Sequence, residues 1–280
     1  MARKLQGKAR LAGAGALILT SLIALSAARG QGDVTAPLLP PMPAPFARDC
    51  EIGGAVVVES PLPNVTAALQ ERKEIKILAI GASSVIRRGR GRGGHTEAVE
   101  TILENAMKGL DVILINRGVS GELAEQAAAR IQNEVALNQP DLVLWQVGTN
   151  DALAYVPLDE LENTVVGTIR WLKEHKVDVV LVGLQYVPRM EQDEHYRAVR
   201  QLLRKIAAQE NVMIVRRYEA QRLLTQAEGS GGGLYPDEFA RSEAGYICLA
   251  QYLARAIALG IFGGALRTSP VAPSPEAAPK

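Results

Sequence analysis

The sequence predicts an α/β domain in which helices cover both faces of a five-stranded parallel sheet, a three-layer α/β/α sandwich. Three observations predict this fold. Short apolar runs alternate with longer helical patterns along the middle of the chain. The runs lack the polar alternation of half-exposed strands, which is typical of parallel strands buried on both faces. Only 4% of the residues are aromatic, so we expect an aliphatic core.

The predicted elements follow one another in the order βαβαβαβαβα. The strands are runs rich in Ile, Leu and Val: Ile75–Ile80, Val112–Ile115, Leu142–Val147, Val177–Val182 and Val212–Val215. The intervening stretches have the apolar spacing of amphipathic helices: 96–108, 121–138, 158–175, 193–210 and 244–259. Together they place the folded domain at residues 50–265.

The first 28 residues predict export from the cytoplasm. Four basic residues within the first ten precede an uncharged apolar run from Leu11 to Ala28. Ser26 and Ala28 have the small side chains and spacing of a signal-peptidase site, so residues 1–28 are predicted to be a signal peptide. The alternative is an uncleaved anchor, because 18 apolar residues can just span a bilayer. Both place the domain outside the cytoplasm, as a periplasmic, secreted or membrane-anchored protein.

Two segments outside the domain are rich in proline. Residues 29–49 hold five prolines and are predicted to form a linker or an arm. Residues 266–280 are rich in Pro and Ala and are predicted to be a disordered tail.

The chain has two cysteines, Cys50 and Cys248. In an oxidising compartment they could form one disulfide between the start of the domain and its last helix. The alternative is two buried thiols. Neither cysteine lies in a His-rich or Cys-x-x-Cys segment, so we expect no metal site.

The charge balance excludes a strongly basic nucleic-acid-binding protein. The formal net charge is +1, from 31 basic and 30 acidic residues. Charged residues are 22% and apolar residues 48% of the chain, which also excludes a disordered acidic chain and a polytopic membrane protein.

Polar residues and glycines follow the predicted strands. Ligands of open parallel sheets bind at the carboxyl ends of the strands. The segments there are Gly81-Ala-Ser83-Ser, Asn116-Arg-Gly118-Val-Ser120 and Gly148-Thr-Asn150-Asp. Taken singly, each segment is more typical of a chain turn or a helix cap than of a functional site.

Taken in order, these segments resemble the SGNH hydrolases, the GDSL-like esterase family, over residues 75–260. The resemblance implies a flavodoxin-like fold and ester hydrolysis without a metal or an organic cofactor. It implies Ser83 as the nucleophile, with Gly118 and Asn150 as oxyanion donors. Ala82 stands where the family has an aspartate.

In the fourth block, this chain departs further from the family pattern. Asp237 and the Gly245-Tyr246 pair match it, and the resemblance implies that Asp237 orients a catalytic histidine. That histidine should stand three positions later, where this chain has Ala240. No histidine follows His195.

Three interpretations follow from Ala240. The chain is a hydrolase fold that has lost most catalysis and now binds a ligand or glycan, or His95 or His195 supplies another base, or Ala240 is a substitution in an active enzyme. We expect an acyl-ester hydrolase, acting for example on O-acetyl groups of a glycan. The partner is then a small-molecule or glycan ester. The sequence does not define the acyl group or the oligomeric state.

Overall fold

The computed structural model describes residues 50–51, 57–82, 95–228 and 242–268. The predicted signal peptide and the linker lie outside these residues.

Among the residues that the structure describes, the sheet contains the five predicted parallel strands and one additional short strand. The strands are β1 (Val57–Val58), β2 (Glu74–Gly81), β3 (Asp111–Gly118), β4 (Leu142–Gln146), β5 (Asp178–Val182) and β6 (Met213–Val215). Strand β1 pairs antiparallel with β6 at one edge of the sheet. It was not predicted because two residues carry too little pattern to indicate a strand.

The five predicted helices are present, and the described residues form three other α-helices that were not predicted. The helices are α1 (Pro63–Arg72), α2 (His95–Ala106), α3 (Ala124–Asn138), α4 (Thr149–Leu153), α5 (Leu158–Glu174), α6 (Glu194–Gln209), α7 (Arg217–Glu228) and α8 (Glu243–Thr268). Helices α1, α4 and α7 are the additional ones. Helix α8 continues past residue 259, where the sequence pattern placed its end.

The strand order creates a crevice beside the carboxyl ends of β2 and β4. Across the sheet the strands run β1-β6-β5-β4-β2-β3. The parallel strands therefore have the 2-1-3-4-5 order of the flavodoxin-like fold, which confirms the predicted fold class. The chain continues from β2 to β3 on one side of β2, and then crosses to β4 on the other side of β2. Ligands of such folds bind at this reversal point.

The two faces of the sheet form two separate cores. Successive strand side chains point to opposite faces. Ile77 and Ala79 lie in one core, under α1, α2, α7 and α8. Leu78 and Ile80 lie in the other, under α3, α5 and α6. Strand β4 is buried along its whole length, as expected for a central parallel strand.

Helix α8 is an apolar helix of the first core. Its segment Ala244–Gly263 is long and apolar enough to cross a membrane, but 61% of that window is buried inside the domain. Leu253 and Ile257 are fully buried there. The high apolar content of α8 is therefore accounted for by packing in the core.

A disulfide joins the two cysteines, as the first of the two sequence alternatives states. Cys50 and Cys248 are bonded with their Cα atoms 5.1 Å apart. The Tyr252 hydroxyl donates a hydrogen bond of 2.5 Å to the carbonyl oxygen of Cys50. The bridge and this bond attach the start of the domain to α8.

Candidate active site

Two glycines shape the crevice at the switch point. Gly81, at the end of β2, has a φ of +128°, and a Cβ atom there would lie 2.2 Å from the carbonyl oxygen of Gln146. Gly148, just after β4, has a φ of +99°, and its Cβ would lie 2.7 Å from a methyl group of Leu203. Only glycine satisfies both the left-handed backbone and the close approach. These positions explain why the first and third sequence blocks begin with glycine.

A small cavity lies at this crevice, where three segments meet. It has a volume of about 10 Å³ and is lined in part by Ala82, Glu122 and Asn150. Ala82 directly follows β2, Glu122 lies just before α3, and Asn150 is the second residue of α4. The structure therefore brings the first and third sequence blocks together.

The second block lies beside the first through strand register. Gly118 pairs with Gly81 across β2 and β3. The backbone N–H of Gly118 donates to Oδ1 of Asn116 at 3.2 Å. Strand β3 was predicted to end at Ile115 and instead runs through Gly118, because pairing with β2 continues over these polar residues. A substrate oxyanion at this position would compete with Asn116 Oδ1 for the hydrogen bond from the Gly118 N–H.

The carboxamide of Asn150 is held by the loop before α3. Asn150 is half-buried, and its Nδ2 donates a hydrogen bond of 2.8 Å to the carbonyl oxygen of Glu122. This contact fixes the direction in which the amide points.

Asp151 is a positioning residue for which the sequence analysis gave no role. Its carboxylate accepts hydrogen bonds from the backbone N–H groups of Ala124, at 2.7 Å, and Gly148, at 3.1 Å. Asp151 is 2% exposed, and this burial raises the pKa of its carboxyl group, while the two backbone donors oppose the shift. The signal that could have identified it is an acidic residue directly after Asn150, inside an otherwise buried turn.

The loop that receives the Asn150 amide is held by a partly buried ion pair. The Glu122 carboxylate, whose side chain is 2% exposed, is bonded to the Arg130 guanidinium. Burial raises the pKa of Glu122, and the bond from Arg130 acts in the opposite direction. The ion pair therefore supports the Glu122 carbonyl that orients Asn150.

Several predicted site residues lie outside the described residues. Ser83, Asp237 and Ala240 are among them, so their predicted roles stay predictions. His95 is the first residue of α2. His195 lies in the first turn of α6, and its ring stacks on Tyr155 with 5.2 Å between centroids.

The small cavity has no histidine among its described lining residues. In the part of the chain that the structure describes, the Nε2 of His195 is buried without a hydrogen-bond partner. The proposal that His95 or His195 replaces the missing base is not tested by these contacts, because it depends on the position of Ser83.

A second, larger cavity adjoins the first. Its volume is about 620 Å³, and it lies between the start of α3, the α4–α5 loop and the start of α5. The two cavities share three lining residues: Leu123, Ala124 and Asp151. The site is therefore a narrow pocket that opens beside a cleft of ligand size.

Comparison with known families identifies one match over most of the chain. The profile of the non-GDSL lipase-like family matches residues 49–262. This agrees with the resemblance to SGNH and GDSL-like hydrolases stated from the sequence blocks.

Two esterases are similar in sequence. An acetylxylan esterase from Geobacillus stearothermophilus is 26% identical over 182 residues, which is 59% of this chain and 80% of that protein. An arylesterase from Vibrio mimicus is 25% identical over 124 residues, 44% of this chain and 60% of its own length.

Solved structures agree with the fold. The acetylxylan esterase Axe2 from Geobacillus stearothermophilus aligns with a TM-score of 0.55 and 25% identity, over 65% of this chain and 94% of Axe2. A protein of the GDSL family from Desulfitobacterium hafniense aligns with a TM-score of 0.50 and 19% identity, over 65% of this chain and 99% of its own, which supports the fold alone. Catalytic mutants of Axe2 replace a serine, an aspartate and a histidine, the last two being three positions apart.

Proposed function

Because the chain belongs to the non-GDSL lipase-like family, we propose that it is a serine esterase. It hydrolyses acyl esters, at a rate that is lowered by the loss of its catalytic base. The observation that carries this proposal is the convergence of Ala82, Glu122 and Asn150 on one cavity at the switch point of the sheet. Ser83 follows Ala82 directly in the sequence.

In the proposed reaction the Ser83 hydroxyl attacks the acyl carbonyl carbon, and the carbonyl electron pair moves onto oxygen. The Gly118 N–H and the Asn150 amide donate hydrogen bonds to this oxyanion. A donor that is already oriented contributes about 3–4 kcal/mol in the transition state. The tetrahedral intermediate then expels the alcohol, and water hydrolyses the acyl-serine in a second cycle.

The serine proton needs a base, and Ala240 occupies the position where the family has one. A methyl group cannot accept a proton. Loss of the histidine from a serine triad lowers kcat by a factor of roughly 10⁴–10⁶. The oxyanion hole and substrate binding still give a rate about 10³–10⁴ times that of the reaction in water. Asp237 keeps the place of the orienting carboxylate. Its spacing to Ala240 equals the spacing between the aspartate and the histidine replaced in the Axe2 catalytic mutants.

The substrate proposed is the acyl ester of a carbohydrate or another small alcohol, as for the acetylxylan esterase and arylesterase relatives. We place the reaction outside the cytoplasm. The basic and apolar N-terminal segment supports export. The Cys50–Cys248 disulfide supports an oxidising compartment.

The test is hydrolysis of p-nitrophenyl acetate by the purified protein and by Ala240→His. Restoring the base should raise kcat by roughly 10² or more, and Ser83→Ala in the same background should remove that gain. Ala240→Asn is the matched control, since it adds a polar side chain that is not a base. If folded Ala240→His shows no Ser83-dependent hydrolysis, the esterase proposal is wrong.

The second candidate function is a non-catalytic protein that binds glycans or other ligands, and Ala240 is the observation that favours it. The same assay separates the two. Ser83-dependent turnover by the unaltered chain would show that another base, such as His195, serves the reaction. Turnover only after Ala240→His would show an intact oxyanion site in a chain that is itself inactive, and binding of a glycan by the unaltered chain would then favour the second function.

A further inference from the structure

Tyr155 adopts a backbone conformation that bulky residues rarely have. It follows α4, has a φ of +53° and is 59% exposed. Glycine is the usual residue at this position after a helix, because it has no Cβ to clash in the left-handed region. Four other described non-glycine residues share this conformation, so the case for Tyr155 rests on the contacts of its ring.

The Tyr155 ring is also fixed in direction. Its hydroxyl donates a hydrogen bond of 2.5 Å to Oδ2 of Asp193, which caps α6 through the backbone N–H of Tyr196 at 2.7 Å. One face of the ring stacks on His195, with an interplanar angle of 24°. Tyr155 also lines the 620 Å³ cavity. The ring is therefore a rigid wall of that cavity.

The other walls of the cavity combine apolar and polar groups. Pro157 and Leu161 contribute apolar surface, and the exposed residues Glu125 and Glu160 contribute carboxylates. None of the described residues that line it is a lysine or an arginine. Carboxylates accept hydrogen bonds from hydroxyl groups and repel anions. A long alkyl chain would leave these polar groups facing hydrocarbon.

From these walls we infer that the cavity binds the alcohol part of the ester as an uncharged sugar, with Tyr155 as the platform on which the sugar ring stacks. The volume of about 620 Å³ lies within the usual range of small-molecule sites. Because the two cavities share three lining residues, the sugar would lie next to the small cavity that Asn150 lines. The inference rests on the proposed esterase function, and Tyr155 is in it a positioning residue.

The first test measures binding without turnover, so that its failure is distinct from a failure of the esterase proposal. The probe is unacetylated xylotetraose, titrated into the full chain by calorimetry. Tyr155→Ala should weaken binding about tenfold, whereas Tyr155→Phe, which keeps the ring, should change it less than about threefold.

The matched control is Trp171→Ala. Trp171 also stacks on a histidine, His175, but near the end of α5, at the opposite edge of the sheet. The Trp171→Ala variant should therefore bind xylotetraose as tightly as the unaltered protein. The inference is overturned if xylotetraose does not bind, or if Tyr155→Ala binds it as tightly as the unaltered protein.

The second test uses charge and does not depend on the stability of the Tyr155 variants. A galacturonate tetramer, which has the same length and four carboxylates, should bind at least about tenfold more weakly than xylotetraose at low salt. The double variant Glu125→Lys, Glu160→Lys should reverse that preference. Equal binding of the two oligomers by the unaltered protein would contradict the inference.

Discussion

The carboxylate of Asp151 accepts a hydrogen bond of 2.7 Å from the backbone N–H of Ala124, the first residue of α3. The same carboxylate accepts a second bond from Gly148. Asn150, the adjacent residue, bonds in turn to the Glu122 carbonyl just before α3. One buried acid therefore links the turn that carries the candidate oxyanion donor to the start of a helix 27 residues away.

Asp151→Ala should lower the free energy of unfolding by about 1–3 kcal/mol, because it leaves buried backbone N–H groups without acceptors. Urea denaturation measures this loss. Asp159→Ala, which removes an exposed acid in the first turn of α5, is the control and should cost less than about 1 kcal/mol. Equal losses in the two variants would show that the buried contacts of Asp151 contribute little.

Asp151 should also make stability depend on pH. Burial raises its native pKa above that of the unfolded chain, so the stability it contributes is fully present below the unfolded pKa. That contribution is lost as the pH rises through the native pKa. Asp151→Asn cannot ionise and should lack this loss.

The measurement is urea denaturation of both proteins between about pH 4 and 7. The unfolding free energy of the unaltered protein, relative to that of Asp151→Asn, should fall as the pH rises. A relative rise would mean that the hydrogen bonds from Ala124 and Gly148 outweigh burial.

Local pattern was sufficient to predict the parallel strands, because each is a continuous apolar run such as Ile75–Ile80. It failed where a neighbouring strand decides the structure. Asn116 and Gly118 look like a loop in the sequence, and only pairing with β2 makes them part of β3. Helix α4 was missed because five residues are too short to show a period.

The same limit applies to the candidate site. The sequence blocks indicated Gly118 and Asn150 through the residue types next to each of them, but the pairing of Gly118 with Gly81 and the bond from Asn150 to Glu122 were not predicted. The role of Asp151 depends on Ala124, and the Cys50–Cys248 bond joins residues 198 positions apart. Contacts of this range are set by the packing of whole elements, which residue types and spacing do not specify.

Arg130→Ala should be strongly destabilising. It leaves the Glu122 carboxylate buried without its counter-ion, and because Arg130 itself is partly exposed we expect a cost of about 3 kcal/mol, the low end of the range for a buried pair. The control is Arg72→Ala, which breaks the exposed pair with Asp141 and should cost about 0–1 kcal/mol. Both losses are measured by urea denaturation. Similar values for the two variants would contradict a structural role for the Glu122 ion pair.

Removal of the disulfide should lower the free energy of unfolding by about 2–5 kcal/mol, since the bridge restricts a long loop of the unfolded chain. The double variant Cys50→Ser, Cys248→Ser should therefore unfold at a lower urea concentration. A reducing agent should shift the unaltered protein in the same direction and leave the double variant unchanged. The idea fails if reduction has no effect on the unfolding of the unaltered protein.

Asn150→Ala should lower kcat for p-nitrophenyl acetate by roughly 10²–10³ in the Ala240→His background, with KM nearly unchanged. The physical reason is that the oxyanion exists only in the transition state, so a donor that serves it contributes to kcat and not to substrate binding. Asn150→Asp, which keeps the shape but removes both N–H donors, should be at least as slow. Asn138→Ala removes an amide at the far end of α3, where it bonds to Glu134, and should leave kcat unchanged. If Asn150→Ala instead raises KM and spares kcat, Asn150 binds substrate and does not stabilise the oxyanion.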